Sequence, residues 1–395
     1  MNSTQMSTGI SGAVPGNFVT TEAAAWTTAM GNGTAGPNGG GPMYSYGERV
    51  FIGVMWLLIS ILGMTGNGMV ILAVALSRKL RTPTNVFVVN LAVADFLSCF
   101  CLPWSVAGLL SLDGLPGAQV PCMITAFISF VSSGASLYHM ASIALNRVLL
   151  IKRPMTLYQW LYTPTKISFL VSSSWLVAIC VILLPPLAGI GGLGYDEQEY
   201  TCTDQDSHPA SKLYALIQVV MFFPVPMLII IVCYAVVFAH VRSHFIAQRK
   251  RRPSTVPSKD TPSGPVSSNF IPSDSPEEVQ GPDTMDNQVH ARLNRQQIQI
   301  TKNLLMIVLV YVVCITPYSI MLFTGSDRYT LYGGTIFLCN TWINPIVYAT
   351  KHPQLKVVLR MMLRCRCSKI PEPSRLVRRL SSKTIALNQV KVNKA

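Results

Sequence analysis

Asp95 is the only acidic residue inside the long apolar runs of this chain, and those runs hold no Lys or Arg. A bare carboxylate in an apolar medium is costly, so it must be protonated, paired or hydrated. Ser136, Asn340 and Asn344 offer the hydroxyl and amide groups that can serve it, and Asn340 and Asn344, four apart, share one helix face. Arg147 stands at the end of another run, where a long cationic side chain can snorkel to a polar boundary. Other chemistry is poorly represented. There is no CxxC pair or His-rich cluster to hold zinc, and no Ser/His or membrane-embedded His/Asp arrangement for catalysis. His139 stands alone and reads as a satisfied packing histidine, so no enzyme and no cofactor are expected.

The elements that position these residues follow from composition. Half of the 395 residues are apolar and 12% are charged, where a soluble domain carries about 25%. A span of the hydrocarbon core needs about 20 mostly apolar residues. Seven runs qualify, at 50–76, 86–110, 123–146, 167–190, 213–239, 303–323 and 331–350. Asp95 lies about ten residues into the second, roughly 15 Å from its start at 1.5 Å per residue. The formal charge of +14 does not indicate nucleic-acid binding, because 28 of the 31 basic residues fall on one side of the bundle. Only Arg49, Lys212 and Arg328 fall on the other, so the basic side is cytoplasmic, the N-terminus outside and the C-terminus inside. The expected fold class is an all-α membrane protein, a seven-helix bundle followed by a short amphipathic eighth helix.

Residues 1–49 are rich in Gly and Thr, cannot bury a core, and read as a disordered extracellular tail. They hold two glycosylation sequons, at Asn2 and Asn32. The bundle occupies 50–350 and contains a flexible third intracellular loop, 243–294, in which 253–286 carries seven Pro and seven Ser. Residues 351–395 form the cytoplasmic tail. Six cysteines fall within spans and read as packing residues. Cys122 and Cys202 lie in the compartment that permits disulfides. Cys365 and Cys367 follow the last span among basic residues, a setting for reversible palmitoylation. Ser254 and Ser381 have basic residues at kinase-like spacing, so phosphate there would turn a basic patch mixed in sign.

Spread along the chain are Gly66-Asn67, Leu91-Ala92-Val93-Ala94-Asp95, Cys122, Asn146-Arg147, Trp175, Cys202, Pro226, Tyr234, Pro317 and Asn344-Pro345-Ile346-Val347-Tyr348. In this order they resemble the rhodopsin-like (class A) G-protein-coupled receptors; within that class the pattern is similar to moody-type orphan and melatonin-like receptors. The resemblance implies a plasma-membrane receptor that converts an extracellular ligand into activation of a heterotrimeric G protein, with arrestin and receptor kinases as further partners. It implies a Cys122–Cys202 disulfide, and an allosteric sodium site from Asp95, Ser136, Asn340 and Asn344. Arg147, with Tyr234 and Tyr348, would act in the switch, and Ile151, Pro154 and Met155 would meet the G protein. Pro226, Pro317 and Pro345 would kink spans five, six and seven.

By alignment of these landmarks the ligand pocket is expected at Ser129, Phe130, Ser133, Gln218, Phe222, Tyr318, Ser319 and Leu322. Ser129 stands where the family's amine-binding acid falls, and 331–350 holds no Lys for a retinal Schiff base. That lining suits a non-aminergic, lipid-like or small amphipathic ligand, or a peptide. Asp196, Glu197, Glu199, Asp204 and Asp206 in the loop beside it could steer a cationic peptide, and otherwise read as a solvated acidic loop. Three positions depart from the pattern: Asn146 for the usual acid, Val148 for the usual tyrosine, and Ile315 for the usual tryptophan. The alternative is a seven-helix transporter or channel, which needs paired ionisable residues where this chain offers only Asp95.

Overall fold

Proline is the main local problem in these helices, and its solution shapes the bundle. A proline in a helix leaves the carbonyl four residues earlier without its donor, and a bilayer supplies no water to replace it. In the computed structural model, which describes residues 43–112, 117, 119–152, 155–250, 305–321, 324 and 327–375, neighbouring spans supply the donor instead. Pro103 frees the Cys99 carbonyl, and the Ser60 hydroxyl donates to it at 2.8 Å. Pro186 frees that of Ile182, which takes the Tyr214 hydroxyl at 2.7 Å. Pro345 frees that of Thr341, which takes Nδ2 of Asn67 at 2.8 Å. At these three prolines the helix defect becomes a bond between two spans.

Span one runs Tyr46–Leu76 and begins at a capping box, in which Ser45 and Glu48 exchange hydrogen bonds. Span two, Pro83–Leu110, starts with Thr82 as N-cap and proline at the first helical position, where its missing N–H costs nothing. Span three is Gln119–Lys152, followed by a short helix, Met155–Leu161, and span four is Pro164–Leu187. Span five is in two pieces, Ser211–Phe222 and Pro224–Lys250. The interruption falls at Phe223, ahead of the expected Pro226, because Pro224 and Pro226 together remove two donors within three residues. The Tyr138 hydroxyl donates to the Met221 carbonyl at this break, 2.8 Å away. Span six is described over Leu305–Met321. Span seven divides at Cys339 into Thr330–Leu338 and Asn340–Lys351, one and a half turns before Pro345. Five of the described helices are long and apolar enough to cross a membrane on their own.

The eighth helix, Pro353–Leu363, is amphipathic as expected: Leu355, Val358 and Leu359 are buried, and the His352 ring caps its start by accepting from the Leu355 N–H. Beyond it the chain returns to the first inter-span turn. The Ser77 hydroxyl donates to the Pro371 carbonyl at 2.8 Å, and Ser374 N–H donates to Leu76. One feature of the fold is not helical. β1 (Leu193–Asp196) and β2 (Thr201–Asp204) form an antiparallel hairpin between spans four and five, with Tyr195 opposite Cys202.

Buried side chains form one large cluster toward the Arg147 end and two smaller ones toward the hairpin end. Phe51, Val54, Leu58, Ile61 and Leu62 of span one are exposed, an outward apolar stripe suited to lipid contact. The described residues of the tail, loop and carboxy-terminal segments begin or end inside these expected regions; Asn2, Asn32, Ser254 and Ser381 lie outside the described residues.

Candidate functional site

At mid-bundle, the fold brings Asp95 to Ser136 and Asn344. Oδ1 of Asp95 accepts from the Ser136 hydroxyl at 2.9 Å, and Oδ2 accepts from Nδ2 of Asn344 at 2.9 Å. Asp95 is 1% exposed. Asn340 lies one turn before Asn344 on the same span, buried, and is not among the groups bonded to Asp95. The side-chain oxygens of Asn67, Asn340 and Asn344 are buried without a hydrogen bond to a protein group. The carboxylate, the Ser136 hydroxyl and the side-chain oxygen of Asn344 make an oxygen donor set, which fits a hard cation or ordered water.

Toward one end of the bundle lies Arg147, 3% exposed. Tyr234, Tyr158, Tyr348 and Tyr162 are the groups that bear most on its charge. Spans five and seven supply Tyr234 and Tyr348, the two tyrosines anticipated from the motifs. Tyr158 and Tyr162, stacked at 4.7 Å, come from the short helix and its end and were not anticipated. Asn146 turns away from a pairing role: its Oδ1 accepts from the Thr84 hydroxyl on span two at 2.7 Å. Ile151 is partly buried at the end of span three, Met155 opens the short helix, and Pro154 lies outside the described residues.

At the other end, Cys122 and Cys202 form a disulfide, with Cα atoms 4.8 Å apart. It fixes the hairpin over the bundle. Arg49 of span one adds a second tie, with its guanidinium 3.9 Å from the centre of the Tyr200 ring and donating to the Ser111 carbonyl at 3.0 Å. A third lies between spans one and seven, where Glu48 accepts from Arg328 at 2.7 Å and from the Tyr332 hydroxyl at 2.8 Å.

Below the hairpin sit Ser129, Phe130, Ser133 and Phe222, all partly buried, and Gln218 and Ser319, both buried. Leu322 lies outside the described residues. Ser129 faces Cys101 of span two and hydrogen-bonds it. Phe222 lies against Gly134, where a Cβ would stand 2.5 Å from the ring, so only glycine admits it. The Tyr318 ring stacks on Phe337 with centres 5.9 Å apart.

Two expectations are corrected here. The hairpin acids are only in part a solvated patch: Glu197 and Asp206 are exposed, Asp204 is partly buried, and Asp196 and Glu199 are buried. Asp196, 5% exposed, folds its own turn by accepting from the N–H groups of Gln198, Glu199 and Asp206. Asp204 is partly buried, and Gln218 Nε2 donates to its two oxygens at 3.0 and 2.9 Å. Burial, the largest influence, raises its carboxyl to about 7, against the lowering effect of Gln218; Asp206 adds to the rise. The signal was present in the sequence: in a strand, Asp204 shares a face with Cys202, two residues before it. The second correction concerns His139. It is fully buried with neither ring nitrogen hydrogen-bonded to protein, and it packs edge-on against Trp175 at 5.9 Å.

The model of the 7 transmembrane receptor (rhodopsin family) matches residues 66–348. The G-protein coupled receptor moody of Drosophila pseudoobscura pseudoobscura is 28% identical over 367 residues, covering 82% of this chain and 53% of its own length. Melatonin receptor type 1B-A of Danio rerio is 32% identical over 208 residues, covering 52% of this chain and 70% of its own. The chain thus spans about half the length of the moody receptors it matches. The crystal structure of squid rhodopsin has the same fold, with a TM-score of 0.63 at 18% identity over 84% of this chain and 91% of that one. A seven-helix bundle with its hairpin pinned to span three, and a family match across nearly all of that bundle, lead to one conclusion: the chain belongs to the rhodopsin family of seven-transmembrane receptors.

Proposed function

We propose that this protein is a plasma-membrane receptor that converts binding of an extracellular ligand beneath the hairpin into activation of a heterotrimeric G protein. The observation that carries the reading is Arg147, buried among tyrosines from spans five and seven and from the short helix. Moving any of these elements would change its surroundings, so the position is suited to a two-state switch. Arg147, Tyr234 and Tyr348 would form that switch, and Ile151, Pro154 and Met155 the docking surface. Ser129, Phe130, Ser133, Gln218, Phe222, Tyr318, Ser319 and Leu322 would receive the ligand, a non-aminergic small amphipathic or lipid-like molecule or a peptide. Asp95, Ser136, Asn340 and Asn344 would hold a sodium ion that favours the resting arrangement. The polar oxygens left without protein partners on Asn340 and Asn344 support that assignment.

The amino terminus would face outward and carry glycans at Asn2 and Asn32. The carboxy terminus would face the cytoplasm, where Cys365 and Cys367, both exposed just past the amphipathic helix, would be palmitoylated. Ser254 and Ser381 would be phosphorylated, with arrestin and receptor kinases acting at the same face. The test is a set of G-protein activation reporters in cells expressing the full chain, screened with lipid, indole and peptide libraries. A compound that activates a reporter through the wild type but not through Arg147→Ala supports the reading. Ion conductance or solute uptake with no reporter response would favour a transporter or channel.

A further inference from the structure

We infer that the segment after the eighth helix folds back on it to build a binding cleft for the head group of a polyphosphorylated inositol lipid. The inference rests on the reading that places this end of the chain at the cytoplasmic face, where anionic lipids lie. The cleft begins with helix periodicity. Lys356, Arg360 and Arg364 follow one another at intervals of four, so they stand in one row along the helix. Leu355, Val358 and Leu359 bury a different face in the core of the bundle. The chain then reverses at a Schellman motif. Cys365 takes the left-handed conformation at φ 52°, its N–H donates to the Met362 carbonyl, and Arg366 N–H donates to the Met361 carbonyl, both at 2.9 Å.

One 3-10 turn follows, Cys367–Lys369, and then a strap. Ile370 is buried, and the next residues clip onto the turn between spans one and two. Arg78 N–H donates to the Glu372 carbonyl at 2.9 Å, and Ser77 forms a β-bridge with Pro373. The strap fixes Arg366 and Lys369 beside the helical row. The result is a cleft of about 360 Å³ lined by all five cations. Val357 and Met361 complete the lining, with the alkyl stems of the basic side chains. Among the described residues none of the five forms an ion pair. Between residues 351 and 375 the one acid is Glu372, which is exposed. Positive charge is therefore concentrated here without internal compensation, and an anion relieves its self-repulsion.

The chemistry of the cleft selects among anions. A lipid with a single net charge would neutralise one cation of the five. An inositol lipid with two ring phosphates carries about −4 to −5, at about −1.5 to −2 for each phosphate monoester. Guanidinium forks also match phosphate oxygens in pairs, and three of the five residues are Arg. The apolar surroundings favour a lipid over a soluble phosphate. Val357 and Leu363 are exposed on this helix, so the cleft is bordered by surface suited to acyl chains. Cys365 and Cys367, exposed beside it, would add acyl chains of their own if palmitoylated.

Native mass spectrometry of the detergent-purified full chain counts bound lipid directly. The probes are dioctanoyl phosphatidylinositol bisphosphate, dioctanoyl phosphatidylserine and the soluble head group inositol trisphosphate. The bisphosphate lipid is expected to occupy one site, at least about 10-fold tighter than either of the others. Arg360→Gln combined with Arg364→Gln should weaken it about 10- to 30-fold, the attraction of two cations. Arg251→Gln combined with Arg252→Gln removes as much charge from the third inner loop and should leave binding unchanged. Arg360→Lys combined with Arg364→Lys should recover most of the affinity. Ile370→Ser removes no charge but loosens the strap, and should weaken the bisphosphate lipid several-fold. The inference is overturned if the serine lipid binds equally, if the soluble head group binds as tightly as the lipid, if both Gln pairs weaken binding alike, or if Ile370→Ser has no effect. Binding in detergent does not depend on orientation. An epitope at the carboxy terminus that antibody reaches on intact cells would sink the cytoplasmic placement alone.

Discussion

Removing a single oxygen atom, by Tyr214→Phe, tests the way proline defects are repaired between spans. Tyr214 is fully buried, and its hydroxyl is the donor to the Ile182 carbonyl that Pro186 leaves without a helical partner. Phenylalanine fills the same space, so no cavity term enters and the loss is that of one hydrogen bond with its acceptor left buried. Such a loss costs about 1–3 kcal/mol in a protein interior. Between membrane helices the measured values average about 0.6 kcal/mol and reach about 1.7. A destabilisation of about 1 kcal/mol is therefore expected. The assay is thermal unfolding in nanodiscs followed by thiol labelling, since Cys99, Cys101, Cys233 and Cys314 are free and buried. The informative comparison is a double-mutant cycle with Pro186→Ala, which restores the missing N–H. In that background Tyr214→Phe should cost much less, because Ile182 again has a helical donor. If the cost is the same in both backgrounds, or absent in both, the repair argument is wrong.

Other expectations follow from the same geometry. Ser substitution at Cys122 or Cys202 should lower thermal stability and surface expression, since a disulfide closing a long loop contributes about 2–4 kcal/mol; peptide mapping that found both as free thiols would contradict it. Raising sodium should increase the melting temperature or reduce agonist affinity, and Asp95→Ala should remove that dependence; a sodium response surviving the substitution would exclude Asp95. The Asp204 carboxyl sits at about 7 in the folded protein, against an ordinary value near 4. Its contribution to stability is thus full at low pH and is lost as pH rises from about 4 to about 7. Subtracting the Asp204→Asn melting curve from wild type should isolate a fall over that window; a flat difference would contradict the raised carboxyl.

Much of the fold was legible because hydrophobic runs of span length and their flanking charges are local signals. The pairing of Asp95 with Ser136 and Asn344 was also legible, since one carboxylate in an apolar run needs partners and few polar residues lie in reach. Less could be read where partners come from different spans. The carbonyls freed by Pro103, Pro186 and Pro345 follow from sequence alone, but Ser60, Tyr214 and Asn67 as their donors depend on how helices pack. Similarly, nothing local indicates that Asn146 bonds Thr84, or that Arg49 reaches Tyr200 across the hairpin. Asp204 was the readable case that the acidic composition of its loop obscured. Counting charges suggested solvent, while the two-residue spacing from Cys202 set it on the same strand face as that anchored residue.

The central claim is that Arg147 and its surroundings form the switch that engages a G protein. Asn146, bonded to Thr84, carries no charge to hold Arg147 in a resting pair. A partly exposed ion pair is worth about 0–1 kcal/mol and more when desolvated, and about 1.4 kcal/mol is a tenfold change in a two-state ratio. The direct measurement is ligand-free nucleotide exchange on a panel of purified heterotrimeric G proteins, catalysed by the wild type and by Asn146→Asp at matched receptor amounts in nanodiscs. Exchange above the receptor-free rate, reduced several-fold by Asn146→Asp, is the predicted result. No acceleration on any G protein, or a rate that the restored acid leaves unchanged, would contradict the account.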